Sequence, residues 1–329
     1  MLRKLLMTIL ASAAFVSSER SGSAQEKLRL AWAGVSPTNS PVWVIQEKKL
    51  LQKQGVEPEI IAISASPTVL QALLAGEIDA ASISVTTLTS SRLAGADTVM
   101  VLGVVPTFVD HIVSLKSITG VEQLRGKTGG VNRLGSTSDL GLRLALRKLG
   151  IDPERDAKII PVGGNPERFA ALSKGVTQFT IMPEPFLREA EKLGFKNLFD
   201  ISSLKIPFWW NGILTREAII KSKRPLIMKL VRAMVEAIHF IKTDKEAAKA
   251  IIGRNLHISD PEGLERAYKD YAAVFPEVPY PNPDGVKTML DDMAPRNPKA
   301  ATADPKTFVD MSFVGELESS GFIKQLYKR

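Results

Sequence analysis

Residues 59–83 read EIIAISASPTVLQALLAGEIDAASI. Glu59–Ile63 is a short isoleucine-rich run with the look of a buried strand. Thr68–Leu74 follows with helical spacing, Gly76 offers a left-handed stop, and Ala80–Ile83 is a second apolar strand. Strand, helix and strand in so short a span form a βαβ unit, because two parallel strands need a crossover and a helix is the usual one. Reading outward, Leu28–Trp32 is a strand and Val42–Leu51 a helix on one side. Thr86–Leu93 is a helix and Thr98–Gly103 a strand on the other. This alternation predicts an α/β fold with parallel sheets covered by helices.

The same grammar restarts after residue 110. Ile112–Leu115 reads as a connecting strand and Thr128–Val131 as a strand before a helix that opens at Ser136. Ser136 and Asp139 have the spacing of a capping box, and Gly150 sits where that helix should stop. Lys158–Pro161, Phe179–Met182 and Lys196–Phe199 read as strands, with helices at Pro166–Ser173 and Pro185–Leu193. Gly55-Val56-Glu57-Pro58-Glu59 is echoed by Gly150-Ile151-Asp152-Pro153-Glu154, and Ala72-Leu73 with Gly76 by Ala171-Leu172 with Gly175. The two echoes keep order and nearly the same offset, which points to a duplicated half. Turn chemistry alone would also repeat helix–Gly–strand junctions. The remainder reads as helical. Pro225 starts a long helix, and Ala247–Ile252, Gly263–Val274 and Val286–Met293 follow, packing back on the first half.

The 329 residues are 44% hydrophobic and 24% charged, enough for two ordinary lobes and free of disordered bias. At the start, Arg3 and Lys4 precede an apolar run from Leu5 to Val16, and Gly22-Ser23-Ala24 supplies small residues before Gln25. That order predicts a secretory signal peptide over residues 1–24, too short for an anchor helix. Cysteine is absent, so disulfides, thiolate catalysis and Cys-ligated metals are excluded. The formal net charge is +8, and because residues 1–24 hold Arg3, Lys4 and Arg20 against Glu19, it is +6 without them. The basic residues are dispersed among acidic ones, with no basic run interleaved with aromatics, which argues against nucleic acid. His111, His239 and His257 are isolated, without metal-ligand spacing, so no metal or cofactor is expected. Gly129-Gly130 and Gly163-Gly164 read as turns at most, not as a phosphate loop.

Four stretches together resemble the nitrate/sulfonate/taurine and thiamine-pyrimidine-precursor (NMT1-like) family of ABC-importer binding proteins. They are Pro41 to Gly55; Ala72-Leu73-Leu74-Ala75-Gly76-Glu77-Ile78-Asp79-Ala80 with Ala94-Gly95-Ala96-Asp97; Leu124-Arg125-Gly126-Lys127 before Gly135-Ser136-Thr137; and Gly194-Phe195-Lys196-Asn197-Leu198. The resemblance runs from roughly residue 28 to 255 and is specific by order and spacing, not for one ligand. It implies a type II periplasmic binding protein fold: two α/β lobes joined by two crossover strands, with a ligand cleft between them. The first lobe would be residues 25–111 with 209–329, the second the inserted residues 112–208. It also implies a periplasmic monomer that delivers a small molecule to ABC permease subunits. Zero cysteines would leave such a protein free of a lipid tether. One departure is Gln178, which stands where Asp79 stands in the first half and reads as a tolerated surface change.

Ligands of open α/β sheets bind beyond the carboxyl ends of the strands. The candidate contacts are therefore Thr38 and Asn39 after the first strand, Ser64 and Ser66 after the second, and Ser84 and Thr86 after the third. From the second half come Ser136, Thr137 and Glu184. Hydroxyls at helix starts suit a polar or anionic ligand, and they equally suit ordinary N-caps. Glu184, between two prolines, could hold an amino or ring N–H group, or favour a helix start. Among Phe208, Trp209 and Trp210 near the return crossover, Trp210 is the candidate to stack on a flat ligand, with core packing as the other role. No catalytic residue is assigned. Two other readings stand beside the receptor: an enzyme on the same scaffold, of the cysteine-using pyrimidine-synthase type that this chain cannot copy, and a ligand sensor for a membrane receptor.

Overall fold

The computed structural model describes residues 26–63 and 65–328. The segment read as a signal peptide and the candidate contact Ser64 lie outside the described residues. In chain order the first half runs β1 (Glu26–Ala33), α1 (Ser40–Glu47), β2 (Val56–Ile63), α2 (Ser66–Ala75), β3 (Ala80–Ile83), α3 (Val85–Leu93) and β4 (Thr98–Val105). The second runs β5 (His111–Ser114), β6 (Thr128–Val131), α4 (Thr137–Lys148), β7 (Lys158–Pro161), α5 (Asn165–Ser173), β8 (Phe179–Met182), α6 (Phe186–Lys192) and β9 (Lys196–Asp200). Then come β10 (Asn211–Arg216), α7 (Glu217–Thr243), α8 (Lys245–Leu256), α9 (Pro261–Val274), α10 (Pro283–Met293), α11 (Pro298–Thr302), α12 (Ser312–Ser319) and α13 (Phe322–Leu326).

The strands form two sheets, β2-β1-β3-β10-β4 and β7-β6-β8-β5-β9. In each, three strands lie parallel, β1, β2 and β3 in the first sheet and β6, β7 and β8 in the second. A strand from the other side of the crossover then enters antiparallel to both its neighbours. Position for position the two sheets match, so the molecule is two α/β lobes of one design. A hydrogen bond repeats with the topology. Asp79 Oδ2 accepts the Arg29 N–H at 2.8 Å, and Gln178 Oε1 accepts the Thr128 N–H at 3.0 Å, each tying a strand entrance to its neighbour. Gln178 is thus not a tolerated surface change: its amide does the work of the Asp79 carboxylate and also donates to Gly175 O.

The return strand corrects the all-helical reading beyond the crossover. Asn211–Arg216 is a central strand, with Asn211 to Thr215 buried. Six residues with no polar face carry no period to announce them. Further on, the helical run from Glu217 is interrupted at Lys223, and Pro225 restarts it where its missing N–H is harmless. The helix Val42–Leu51 is shorter and earlier than read, Ser40–Glu47, and follows a 3-10 turn at Pro37–Asn39. The predicted capping box at Ser136 does not form: Asp139 accepts instead from the Gly135 N–H at 2.7 Å. Nor are Gly129 and Gly130 a turn. They lie inside β6, where a side chain on Gly129 would strike the Phe179 ring at 2.6 Å.

Apolar faces of α1, α7 and α8 cover the first sheet through Trp43, Ile45, Leu230, Met234, Ile238 and Ile251. A second buried cluster runs without a break from Leu73 and Val85 of the first lobe, through Phe108 and Phe208, to Leu142 and Ile181 of the second. The crossovers, residues 106–110 and 205–210, run side by side. Phe208 N–H donates to Pro106 O at 3.2 Å, Trp210 N–H to Val105 O at 2.9 Å, and the Phe108 and Phe208 rings stack at 4.2 Å. No described helix is long and apolar enough to cross a membrane.

Trp209 anchors this joint. Its indole N–H donates to Asn282 O at 2.7 Å, and it lies between Gly103 of β4 and Gly285 of α10. A Cβ on Gly103 would collide with the indole ring, and one on Gly285 would come within 2.7 Å of it. Gly103→Ala and Gly285→Ala are each expected to cost about 1–3 kcal/mol, the usual range for overpacking. Trp209→Ala should cost about 3–5 kcal/mol through the cavity it leaves. Urea unfolding checks both; a glycine variant as stable as the parent would show that the indole is loosely held.

Candidate ligand-binding cleft

The antiparallel return strands bring extra residues to the rims where the parallel strands end. In the first lobe the rim is made by the loop after β1, the start of α3 and the start of β10. Ser36 caps the 3-10 turn by accepting from the Thr38 N–H, and the Thr38 hydroxyl donates to it at 3.2 Å. Asn39 is committed to its own lobe: its amide donates to Ala33 O and Gly34 O, and its carbonyl accepts from Ser82 at 3.2 Å. Asn211 completes this group by donating to Thr38 O at 3.1 Å. Thr38 and Asn39 therefore shape the rim and are buried.

A second group gathers hydroxyls from both lobes. Ser84 lies 2.8 Å from Thr86, and Thr86 lies 3.5 Å from Thr137 across the lobe boundary. Ser136, next to Thr137 in the chain, lies 3.0 Å from Ser138. Ser84 and Ser136 hold the N-cap positions of α3 and α4, yet neither side chain makes a capping hydrogen bond. Ser66 stands apart as the first residue of α2. Trp210 is half-buried and meets Phe108 edge-on at 6.1 Å, bracing the crossover.

Glu184 belongs to a third group, most of which sequence reasoning missed. Its side chain is 0% exposed and lies 2.6 Å from Arg266 of α9, without the alignment of a hydrogen bond. Asp110, just before β5, is also 0% exposed, and neither carboxyl oxygen has a hydrogen-bond partner among the described residues. Because β5 runs antiparallel to β8, with His111 opposite Met182, Asp110 and Glu184 emerge on the same rim. Burial pushes the Asp110 carboxyl up to about 7, against the opposing pull of Arg168. Burial likewise raises Glu184 to about 7; Arg266 opposes this, and Asp270 and Glu191 add to it. The Tyr271 hydroxyl of α9 feels Asp110, Asp270 and Glu184 together and rests against Ser36 of the first lobe; burial above all pushes it well up. No motif marks this cluster, since its members lie on a crossover, a strand end and a late helix. The one legible signal was that Arg266 and Asp270 share a helical face at a spacing of four.

The lobes are also joined by reciprocal arginines. Arg188 of α6 reaches Asp260 and Glu262 at the start of α9, each at 2.6 Å. Arg266 of α9 reaches back to Glu184 and Glu191, again at 2.6 Å. Two crevices, of about 380 and 420 Å³, lie elsewhere. One is bounded by Arg147, Ile206 and Asp291, the other by Arg92, Asp97 and Lys299, and neither includes a strand-end residue named above.

The raised carboxyls set a pH dependence. A folded value above the unfolded one, about 4 for both side chains, means the native state holds more protons between about pH 4 and 7. Their contribution is complete below that window and is lost as pH rises through about 7. Facing Asp110 are Arg168 of α5 and Tyr271 of α9; facing Glu184 are Arg266, Asp270 and Glu191. Asp110→Asn should flatten the decline in unfolding free energy measured by urea titration from about pH 5 to 8. Identical slopes in variant and parent would show that Asp110 is ionised in both states.

Comparison with known proteins agrees with this architecture. The structure is similar to the periplasmic aliphatic sulphonate binding protein SsuA from Escherichia coli, with a TM-score of 0.71 and 20% identity over 87% of this chain and 92% of that one. It is similar to the alkanesulfonate-binding SsuA from Xanthomonas axonopodis pv. citri bound to MOPS, with a TM-score of 0.69 and 17% identity over 86% and 98%. A DszB variant in complex with biphenyl-2-sulfinic acid shares the fold too, with a TM-score of 0.66 and 14% identity over 90% and 99%. No curated protein matches the chain in sequence. The NMT1-like family model matches residues 21–254, most of the chain, and the chain belongs to the NMT1-like family.

Proposed function

We propose that this protein is the periplasmic solute-binding component of an ABC importer, closing two lobes on a small polar organic molecule. The observation that supports it best is the convergence of two matching strand-end rims across paired crossovers, with hydroxyls of α3 and α4 meeting at 3.5 Å. The lobes would be residues 25–111 with 209–329, and residues 112–208. Residues 1–24 would direct export, and the mature chain would work as a monomer with ABC permease subunits. Sulfonates, carboxylates, nitrate-like anions and aminopyrimidines are the ligand classes to screen, with Thr86, Ser136, Thr137 and Glu184 as the leading contacts. Ligand energy closes the lobes only as far as it favours the closed form.

Enzymes also use such clefts, and the two carboxyls raised to about 7 are what would favour that reading. The chain has no cysteine nucleophile to offer. A ligand recovered chemically unchanged after long incubation supports the receptor.

Thermal-shift screening of those classes followed by small-angle scattering tests the proposal. A tight binder is expected to shrink the radius of gyration; a tight binder that leaves it unchanged would sink lobe closure. Arg188→Ala removes half of the arginine clasp. Because Asp260 and Glu262 are well exposed, it should cost stability less than about 1 kcal/mol. The same variant should bind ligand more weakly and compact less, an effect that added salt reproduces in the parent. Undiminished compaction would show that the clasp forms only incidentally.

A further inference from the structure

Resting on that reading, the unpartnered acceptors narrow the ligand. Asp110 is fully buried, has no hydrogen bond, and has no cation within ion-pair distance among the described residues. An uncompensated carboxylate in such a place is costly, and native proteins rarely leave one without a partner. It is not isolated. Nδ1 of His111 and Oδ1 of Asn211 are likewise buried without hydrogen-bond partners among the described residues, and Glu184 is buried beside them with Arg266 as its ion-pair partner. Asp110, His111 and Glu184 stand on the rim of the second sheet, and Asn211 stands on the rim of the first. Ionised carboxylates and an amide oxygen can only accept, so the missing chemistry is hydrogen-bond donors, and a positive charge among them would balance the ionised Asp110. Arg266 already approaches Glu184 from α9, which is how a cation would enter this rim.

We infer that Asp110, assisted by Glu184, is the binding site for a cationic nitrogen of the ligand, a protonated amine or an amidinium group, so that the transported solute is an organic cation at this end. Tyr271 of α9 and Ser36 close the site from the first lobe. Charge-assisted hydrogen bonds of this kind are about twice as strong as neutral ones, and an amidinium can engage a carboxylate through two N–H groups at once.

Titration calorimetry on the exported form, with 1,4-diaminobutane, guanidinium and benzamidine set against ethanesulfonate and nitrate, tests this. At least one cationic probe should bind and compact the protein in scattering, and the anions should not. Asp110→Asn should weaken that binding by on the order of a hundredfold, as loss of one member of a buried charge pair does. Glu184→Gln should weaken it less, because Glu184 is already paired with Arg266. Cation binding near pH 7 should also release a proton, read from the buffer dependence of the heat, and Asp110→Asn should reduce that release to the share left by Glu184. The other titratable and charged groups facing the pair are Asp270, Tyr271, Glu191, Arg168 and Arg266. Anions that bind and compact the protein while all cations fail would overturn the inference and leave the receptor intact. Cation binding indifferent to both substitutions would overturn it as well. Compaction by neither class would bring down the receptor reading with it.

Discussion

Everything in this molecule hangs on the contact between its two crossovers. Two backbone hydrogen bonds and the stacked rings of Phe108 and Phe208 hold them together. Each crossover then delivers a strand into the middle of the opposite sheet. The residues that start those strands, Asp110-His111 and Trp210-Asn211, are thereby carried to the rims where the parallel strands end. The proposed hinge and the candidate site are thus one object. Glycine makes the joint possible: Gly141 of α4 leaves room for Phe108, as Gly103 and Gly285 do for Trp209.

Much of the fold was legible in sequence because a parallel sheet covered by helices writes itself as alternating apolar runs. Ala80–Ile83, Thr128–Val131, Lys158–Pro161 and Phe179–Met182 emerge as strands with the bounds read from composition. Boundaries slipped where a turn intervened, as at Pro37–Asn39, and β10 was missed because a strand buried on both faces shows no alternation. The echo of Gly55 in Gly150 and of Gly76 in Gly175 was a true sign of repetition, seen now in two sheets of one strand order.

The site was legible only where it lies next to a strand end in the chain. Ser84, Thr86 and Thr137 lie in turn within hydrogen-bonding range of one another, Ser136 reaches Ser138 beside them, and Glu184 is buried at a rim. Asp110, Arg168, Arg266 and Tyr271 come from a crossover and two helices. Only three-dimensional closure reveals that their charges face one another. The same closure explains the raised carboxyls: water is excluded from groups that, on separate segments of an extended chain, would be fully hydrated.

Helix α9 has a further meaning when set beside the family match. That match ends at residue 254, whereas α9 spans Pro261–Val274 and brings Arg266, Asp270 and Tyr271 to the cleft. The charged groups that α9 brings to the candidate cleft thus lie outside the stretch that the family model matches. A substitution among the fourteen residues of this one helix can change the charge at the rim while the sheets and crossovers stay as they are.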